Sequence, residues 1–442
     1  MKIILYKSAC LLLMMQLLLQ PPALAQKYYQ PADPQMIEVA QNMLKYFNDI
    51  YQHKTMGAMR GPSQALVVQN LTGKYPAMVE EDLTGWHPTA WSPTYSGRVQ
   101  DHIDNIKDIW LNKKAIPGLC WHWGNPLTGG GTYDASKEEL TAEQFNHLVT
   151  PGTEENLIMM EDLKKHADYL QQLTDANIPL IWRPLHEIDG GWFWWTDENN
   201  PANTVKLWQI MYNYLVNERE MHNLIWVYSA GVGNPKSKDL LYRQSYYPGD
   251  EWVDMVGIDL YGWDFRNTGI KEYWNGTESY QDAFNIMESI APEKLVILTE
   301  TEALPNMQKT YNDDDNFAKW LWVMPWYAGN EQNPDDWIKQ TYTHAKIIMQ
   351  PDLPDFNNYK LIAANDMTNK NLDLAIYPNP VSSSIQIHPQ GNYDLQVFNL
   401  YGKSIKIEKN SPTIIVDDLV PGIYFLEILD DDERVVRKFI ME

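Results

Sequence analysis

The chain has 442 residues, of which 44% are hydrophobic and 12% aromatic, enough for a large packed core. Its formal net charge is −23 at pH 7, and no cluster of Lys or Arg offsets that charge locally. Nucleic acids and anionic membranes are therefore poor partners, because binding to either requires a basic surface. The 18 Trp and 26 Tyr offer flat faces with polar edges, which suit both sugar rings and large cores.

The first residues are typical of a secretory signal peptide. MKIILYK carries positive charge, residues 8–19 are apolar, and Ala23-Leu24-Ala25 forms a small-x-small cleavage site. Cleavage after Ala25 would leave Cys120 as the one cysteine, so no internal disulfide is expected. No later segment reaches about 18 apolar residues without charges, so no membrane span is expected either. We predict a secreted monomer without a cofactor or a metal site.

Short apolar runs alternate with polar helical stretches from a predicted helix at Met36–Ile50 to about residue 330. The predicted strands are Met56–Met59, Pro76–Glu80, Ile116–His122, Ile178–Glu187, Leu224–Ser229, Val253–Leu260, Leu295–Glu300 and Trp320–Trp326. Eight strands that alternate with helices predict an α/β fold of the (β/α)₈ TIM-barrel type. A doubly wound sheet is the weaker alternative, because no Gly-rich phosphate turn follows the first strand.

The pattern changes from about Met367, where a polar, turn-rich segment precedes short runs of alternating apolar and polar residues. This pattern predicts a small all-β sandwich at the C-terminus. The predicted organisation is a signal peptide at 1–25, a catalytic barrel at 26–360, a linker at 361–373 and the β-sandwich at 374–442.

The stretch Leu180–Trp195, LIWRPLHEIDGGWFWW, places three ionisable residues at the end of an apolar strand. Burying Arg183, His186 and Glu187 together costs several kcal/mol unless the groups are paired or used. Strand alternation would put Arg183 and Glu187 on one face and His186 on the other. Active sites of (β/α)₈ barrels lie at the C-terminal ends of the strands, so this stretch predicts a working site.

Two glutamates at strand ends predict hydrolysis of a glycosidic bond. We assign Glu187 as the acid/base and Glu300 as the nucleophile, which gives retention of configuration if the carboxyl groups lie about 5 to 5.5 Å apart. Other polar and aromatic residues at strand ends are predicted to support the nucleophile or to bind sugar. These residues are His122, Arg183, His186, Trp192, Asp259, Tyr261 and Trp326.

RPLHEIDGGWFWW resembles the signature of glycoside hydrolase family 26, the endo-β-mannanase family. The resemblance implies an acid/base role for Glu187, substrate contacts for His186 and Trp192, and site support from Arg183. LTET, GIDLYG and WHWGNP resemble further segments of the family, and imply the nucleophile Glu300, the Asp259–Tyr261 strand end and the substrate-binding His122. Trp326 is a looser match, because Trp322 lies close by.

Two departures from the family pattern bear on function. Glu302 stands where the family usually has Gly, so it competes with Glu300 for the role of nucleophile. Asp189-Gly190-Gly191 replaces the commoner turn after the acid/base, next to the site of the leaving group.

The resemblance implies a secreted retaining endo-β-1,4-mannanase that acts on mannan, glucomannan or galactomannan. The alternatives are a mixed-linkage β-glucanase or a β-1,3-xylanase of the same family, and a non-catalytic polysaccharide-binding barrel. The C-terminal segment resembles the sorting domain of type IX secretion substrates, which implies export through that machinery and removal of the tail. Its alternative role is that of a sugar-binding or spacer module.

Overall fold

The computed structural model describes residues 31–84, 95–129, 133–232, 234, 236, 239–262, 265–273, 276–359, 374–388, 391–399, 404–430 and 433–441. The predicted signal peptide at 1–25 and the predicted linker at 361–373 lie outside these residues, so both remain predictions. The described residues fall into two units, one that ends at Tyr359 and one in the C-terminal segment.

The first unit is built on parallel strands. In chain order its strands are β1 Thr55–Arg60, β2 Met78–Asp82, β3 Ile116–Cys120, β4 Leu180–Arg183, β5 Leu224–Ala230, β6 Met255–Leu260, β7 Ile270–Tyr273, β8 Gly276–Ser279, β9 Leu295–Thr301, β10 Trp322–Pro325 and β11 Ile347–Ile348. Strands β1 to β6, β9 and β10 pair in parallel in that order, and β10 closes the barrel by pairing with β1. The predicted (β/α)₈ barrel is therefore confirmed. Strands β7 and β8 form a separate antiparallel hairpin, and β11 adds to the edge of β1.

Helices lie between the strands of the barrel. They are α1 Glu38–Ile50, α2 Pro62–Thr72, α3 Tyr95–Leu111, α4 Ala142–Leu148, α5 Glu154–Asp175, α6 Pro201–Tyr212, α7 Leu240–Gln244, α8 Phe265–Thr268, α9 Tyr280–Ile290, α10 Met307–Tyr311 and α11 Asp335–Tyr342. Several begin at a side-chain cap: Thr153 caps α5, and Ser279 forms a capping box at α9. Among the described helices, none is both long and apolar enough to cross a lipid bilayer.

The fourth strand ends earlier than its sequence predicts. Strand β4 stops at Arg183, and both Leu185 (φ 48°) and Glu187 (φ 51°) adopt the left-handed backbone conformation. Side chains with positive φ are uncommon and often mark functional sites. The predicted alternation from Arg183 to Glu187 is therefore wrong, because a tight turn rather than a strand carries Glu187.

The C-terminal unit contains two antiparallel sheets. Its strands are β12 Ala375–Tyr377, β13 Ser384–His388, β14 Tyr393–Phe398, β15 Ser404–Ser411, β16 Thr413–Ile415, β17 Gly422–Asp430 and β18 Glu433–Met441. One sheet has the order β12-β13-β16 and the other β15-β14-β17-β18. Ile385 and Ile387 from the first share a buried cluster with Val397 and Leu426 from the second. The predicted all-β sandwich is therefore confirmed.

Candidate active site

One buried cation, Arg183, lies at the centre of the site. Its Nε donates to Glu80 Oε1 at 3.1 Å and its Nη2 donates to Glu80 Oε2 at 2.7 Å, a paired geometry that only a guanidinium offers. Nη1 donates to Asp259 Oδ2 at 3.0 Å, and Nη2 also donates to Glu300 Oε1. Arg183 and Asp259 are 0% exposed, so the guanidinium joins carboxylates from three other strands inside the barrel.

Asp259 has donors on both of its carboxylate oxygens. Besides Arg183, it accepts hydrogen bonds from Ser229 Oγ at 2.9 Å and from Thr299 Oγ1. Its place next to Glu300 depends on an irregularity in the pairing of β6 with β9, where the register shifts between Ile258 and Asp259. Such bulges re-aim side chains near active sites. Here the shift brings both Thr299 and Glu300 to the same Arg183–Asp259 cluster, although they are adjacent in sequence.

Glu300 and Glu302 have different surroundings. Glu300 receives the Arg183 guanidinium on Oε1 and the Tyr261 hydroxyl on Oε2, at 2.6 Å. Glu302 instead accepts the backbone N–H of Gly262 at 2.7 Å, outside that cluster. Strand periodicity does not separate these two residues, but their partners do, and Glu300 is the one that converges on the site.

Glu187 is half-buried, and the donor that holds its carboxyl group among the described residues is neutral. The indole Nε1 of Trp192 donates to Glu187 Oε2 at 2.7 Å. A Cβ added at Gly190 would lie 2.4 Å from the Trp192 ring, and one at Gly231 would lie 3.0 Å from both Glu187 and that ring. The two glycines therefore form the slot that allows Trp192 to reach the carboxyl group. Trp192, expected to be a platform for sugar, is also a direct partner of Glu187.

The unusual turn after Glu187 is tied to the loop that follows β5. The Asp189 carboxylate accepts the backbone N–H of Gly231 at 2.7 Å, and its carbonyl oxygen accepts the Tyr242 hydroxyl at 3.1 Å. Asn234 Nδ2 donates to the Gly190 carbonyl oxygen at 3.2 Å. Asp189-Gly190-Gly191 thus belongs to the framework that positions Trp192 and Glu187.

Two histidines lie next to each other on the opposite side of the turn. His122 Nδ1 lies 2.7 Å from Asp82 Oδ2, and His122 Nε2 lies 3.1 Å from His186 Nε2. Arg60 Nη2 binds the same Asp82 oxygen at 3.0 Å, and its guanidinium lies 4.7 Å from the centroid of the Trp326 ring. Trp326 is half-buried at the end of β10, whereas the neighbouring Trp322 is buried inside that strand.

The two glutamates differ in their electrostatic surroundings. Burial and the Asp259 carboxylate raise the pKa of Glu300 to about 7, against the opposing effects of Arg183 and Tyr261. Burial raises the pKa of Glu187 well above its ordinary value, and the charges of Asp259 and Glu300 raise it further. Burial and the neighbouring carboxylates thus favour the protonated form of Glu187, whereas Arg183 and Tyr261 favour the ionised form of Glu300.

All of the predicted site residues lie at the C-terminal ends of the barrel strands or in the turns that follow them. Arg183 and Asp259 are fully buried, Arg183 bonds to Glu300, and Asp259 bonds to Arg183, so we interpret both as supporting residues. Sequence reasoning missed Arg60, Glu80 and Asp82. The run MVEED, in which three acidic residues end a strand of buried residues, was the available signal for the last two.

Within the described part of the chain, two groups of buried side chains have metal-ligand chemistry. They are Asp82, Cys120 and His122, and Glu80, Cys120 and Glu300, with ligand atoms within 4.8 Å of one another in each group. Burial and the nearby Asp82 and Glu80 carboxylates raise the pKa of Cys120 well above its ordinary value. A protonated thiol is a poor ligand. The carboxylates are also already bonded to arginine, so the arrangement fits a metal ion poorly.

The fold and the site together define a class. A (β/α)₈ barrel with an acidic pair at the ends of β4 and β9, one member bonded to arginine and tyrosine, has the architecture of a glycoside hydrolase. Residues 32–353 match the model of glycosyl hydrolase family 26, and the chain belongs to that family.

Residues 375–442 match the secretion system C-terminal sorting domain. This domain indicates export by type IX secretion to the cell surface or the extracellular space. The predicted sorting role of the tail is therefore confirmed, and the sugar-binding alternative has no comparable support.

Curated relatives and solved structures agree with the family. The chain is 29% identical over 294 residues to mannan endo-1,4-beta-mannosidase B of Piromyces sp.. That alignment covers 65% of this chain and 45% of the Piromyces protein. The chain is also 29% identical over 326 residues to a mannan endo-1,4-beta-mannosidase of Thermothelomyces thermophilus, which covers 70% of this chain and 60% of that protein. The chain thus spans about half the length of these relatives.

A crystal structure of a β-mannanase from a symbiotic protist of the termite Reticulitermes speratus, complexed with gluco-manno-oligosaccharide, matches with a TM-score of 0.61 and 28% identity. The match covers 74% of this chain and 98% of that chain. The barrel of this chain therefore contains the whole fold of that enzyme.

Replacing the central cation tests the buried cluster. We expect Arg183→Met to lower the free energy of unfolding by about 3–5 kcal/mol at neutral pH, because it strands Glu80, Asp259 and Glu300 without a counter-charge. Burial already raises the pKa values of Asp259 and Glu300, and Arg183 opposes that effect, so the loss should be full at neutral pH and shrink as these two groups become protonated at lower pH. Denaturant unfolding of wild type and variant from pH 7 to pH 5 measures the difference.

Arg219→Met is the matched control, since Arg219 forms an exposed pair with Asp168 at 2.8 Å and its loss should cost less than about 1 kcal/mol. Equal losses for the two variants at pH 7 would contradict the central role of Arg183.

Proposed function

We propose that the chain is a retaining endo-β-1,4-mannanase, secreted through its sorting domain, that hydrolyses internal bonds of mannan, glucomannan or galactomannan. The observation that carries the proposal is the contrast between its two glutamates. Glu300 lies between the Arg183 guanidinium and the Tyr261 hydroxyl, which stabilise a carboxylate, whereas Glu187 has a neutral indole partner and a pKa raised well above its ordinary value.

In the first chemical step Glu300 attacks the anomeric carbon of a mannosyl unit while Glu187 gives its proton to the glycosidic oxygen. The bond between that carbon and the leaving oxygen breaks, and a covalent glycosyl–Glu300 intermediate forms. In the second step ionised Glu187 takes a proton from water, the water oxygen attacks the same carbon, and Glu300 leaves as a carboxylate. Two inversions restore the original configuration.

The remaining site residues position the sugar and the catalytic groups. Tyr261 and Arg183 hold the two oxygens of Glu300 in place, which is the preorganisation that a charged nucleophile needs. His122 and His186 form a hydrogen-bonded pair beside the turn that carries Glu187, and the half-buried Trp192 and Trp326 offer ring faces to sugar.

The choice of a mannan backbone rests on the relatives. Both curated relatives are mannan endo-1,4-beta-mannosidases, and the similar solved structure was complexed with gluco-manno-oligosaccharide. We expect purified protein to hydrolyse glucomannan and mannan with release of oligosaccharides, and to leave lichenan and β-1,3-xylan largely intact. Cleavage of lichenan with mannan spared would overturn the substrate, and no hydrolysis of any of them would favour a binding barrel.

The stereochemistry tests the roles of the glutamates. Proton NMR of the first product should show the β-anomer, whereas initial appearance of the α-anomer would mean inversion.

Glu300→Ala should lose on the order of 10⁴-fold in kcat, because it removes the nucleophile. Glu302→Ala is the matched control and should stay within about tenfold of wild type, because it removes only the bond to Gly262. The reverse ranking would transfer the role of nucleophile to Glu302.

The pH profile of kcat/KM should be bell-shaped, with its acid limb set by Glu300 and its alkaline limb by Glu187. Activity should fall as the pH drops below about 7, where Glu300 becomes protonated, and fall again at higher pH where Glu187 loses its proton.

The Trp192 indole stabilises the ionised form of Glu187, so Trp192→Phe should raise the pKa of Glu187 and shift the alkaline limb to higher pH. The acid limb serves as the internal control, and a downward shift of the alkaline limb would contradict the role of Trp192.

A further inference from the structure

Asp82 links His122 to Arg60, and neither side chain takes part directly in the proposed reaction. Its Oδ1 accepts the backbone N–H of His122 at 3.1 Å, and its Oδ2 accepts both His122 Nδ1 at 2.7 Å and Arg60 Nη2 at 3.0 Å. Although burial opposes ionisation, the His122 imidazole and the Arg60 guanidinium hold the pKa of Asp82 well below its usual range. An ionised carboxylate only accepts hydrogen bonds, so Nδ1 of His122 carries a proton.

The contact between the two histidines then allows two arrangements. His122 Nε2 and His186 Nε2 lie 3.1 Å apart, so one of them donates and the other accepts. If His122 donates, it is an imidazolium, and neutral His186 must carry its proton on Nδ1. That nitrogen is buried and has no hydrogen-bond partner among the described residues. A buried N–H without an acceptor is costly and rare, so His186 is the donor and its Nδ1 is unprotonated.

The charges around the pair favour neutral rings. Burial lowers the pKa of His186 well below its ordinary value, and the charges of Arg183 and Arg60 lower it further, against the opposing effect of Asp82. His122 faces the Asp82 carboxylate. Arg60 already neutralises that carboxylate and is itself fixed by donating Nη1 to the Glu80 carbonyl oxygen at 2.9 Å.

We propose that Arg60 and Asp82 are positioning residues that hold His122 and His186 as neutral imidazoles in opposite tautomers, with His122 protonated on Nδ1 and His186 on Nε2. The consequence for catalysis rests on the proposed function. His186 directly precedes Glu187, and the carbonyl oxygen of His186 accepts a hydrogen bond from the Trp195 indole at 3.1 Å. A cation on either ring would favour ionised Glu187, whereas two neutral rings leave the acid/base protonated.

The same geometry commits both ring nitrogens of His122 to other protein groups, because Nδ1 bonds to Asp82 and Nε2 bonds to His186. The pair therefore acts as one rigid unit between Arg60 and the turn that carries Glu187. Arg60 also lies against Trp326, so one guanidinium supports both the histidine pair and a predicted sugar platform.

Nitrogen NMR of full-length protein labelled with ¹⁵N-histidine tests the tautomers without substrate. The chain has 10 His, and single His→Gln variants assign the two signals. At neutral pH we expect His122 to be protonated on Nδ1 alone and His186 on Nε2 alone. An imidazolium at either position, or the same tautomer at both, would overturn the proposal.

Two variants test the positioning residues. Asp82→Asn should produce a mixture of His122 tautomers and lower kcat/KM on glucomannan by about 10²-fold, since small misplacements of catalytic groups cost that much. Arg60→Met should leave Asp82 without its cation, so that His122 becomes an imidazolium and the alkaline limb of the pH profile shifts to lower pH. Unchanged histidine spectra in both variants would contradict the role assigned to Arg60 and Asp82.

Asp162→Asn is the matched control. Asp162 accepts the Trp123 indole at 2.7 Å and lies 3.6 Å from another histidine, His166, outside the histidine pair. The His122 and His186 signals of the Asp162→Asn variant, and its activity, should match those of wild type. If a variant fails to fold, the wild-type spectrum still decides the tautomers. Correct tautomers in a protein that hydrolyses no polysaccharide would refute the proposed function and leave the tautomer assignment intact.

Discussion

The site depends on one guanidinium that is shared by three buried carboxylates. Arg183 on β4 reaches Glu80 on β2, Asp259 on β6 and Glu300 on β9, so its partners come from strands that are distant in the chain. Charges buried this deeply are tolerated only when they are paired with good geometry. Barrel closure brings the strand ends together, and the charge network in turn requires that closure. The position and charge of Glu300, the proposed nucleophile, follow from this arrangement.

The second glutamate is controlled by shape more than by charge. Glu187 lies in a left-handed turn, and its carboxyl group meets the Trp192 indole through a slot formed by Gly190 and Gly231. Burial next to Asp259 and Glu300 favours its protonated form, and no cation bonds to it directly among the described contacts. The two carboxyl groups therefore acquire different chemistry from their surroundings alone, which is how one residue type performs two roles.

Much of the architecture could be predicted from the sequence, because strand and helix periodicities are local. The alternation of strands and helices, the C-terminal sandwich and the strand-end position of Glu187 and Glu300 were all available from residue patterns. The end of β4 was not, because Leu185 and Glu187 adopt positive φ values that no local propensity demands. Glu80 and Asp82 were also missed, because an acidic run at a strand end also fits a solvated surface. Arg60, at the end of the neighbouring strand β1, was missed with them.

The sequence by itself determined the fold class, the family motif and the two competing nucleophiles, because these depend on residue type and spacing. The family resemblance favoured Glu300 over Glu302, and the tertiary structure added the different partners of the two residues, which strand periodicity could not supply because residues two apart share a strand face. The tertiary structure likewise gave Asp189-Gly190-Gly191 a structural purpose and joined Arg60, Asp82, His122 and His186 into one network. Hydrogen bonds between distant strands are set by barrel closure and register, which no single stretch of sequence encodes.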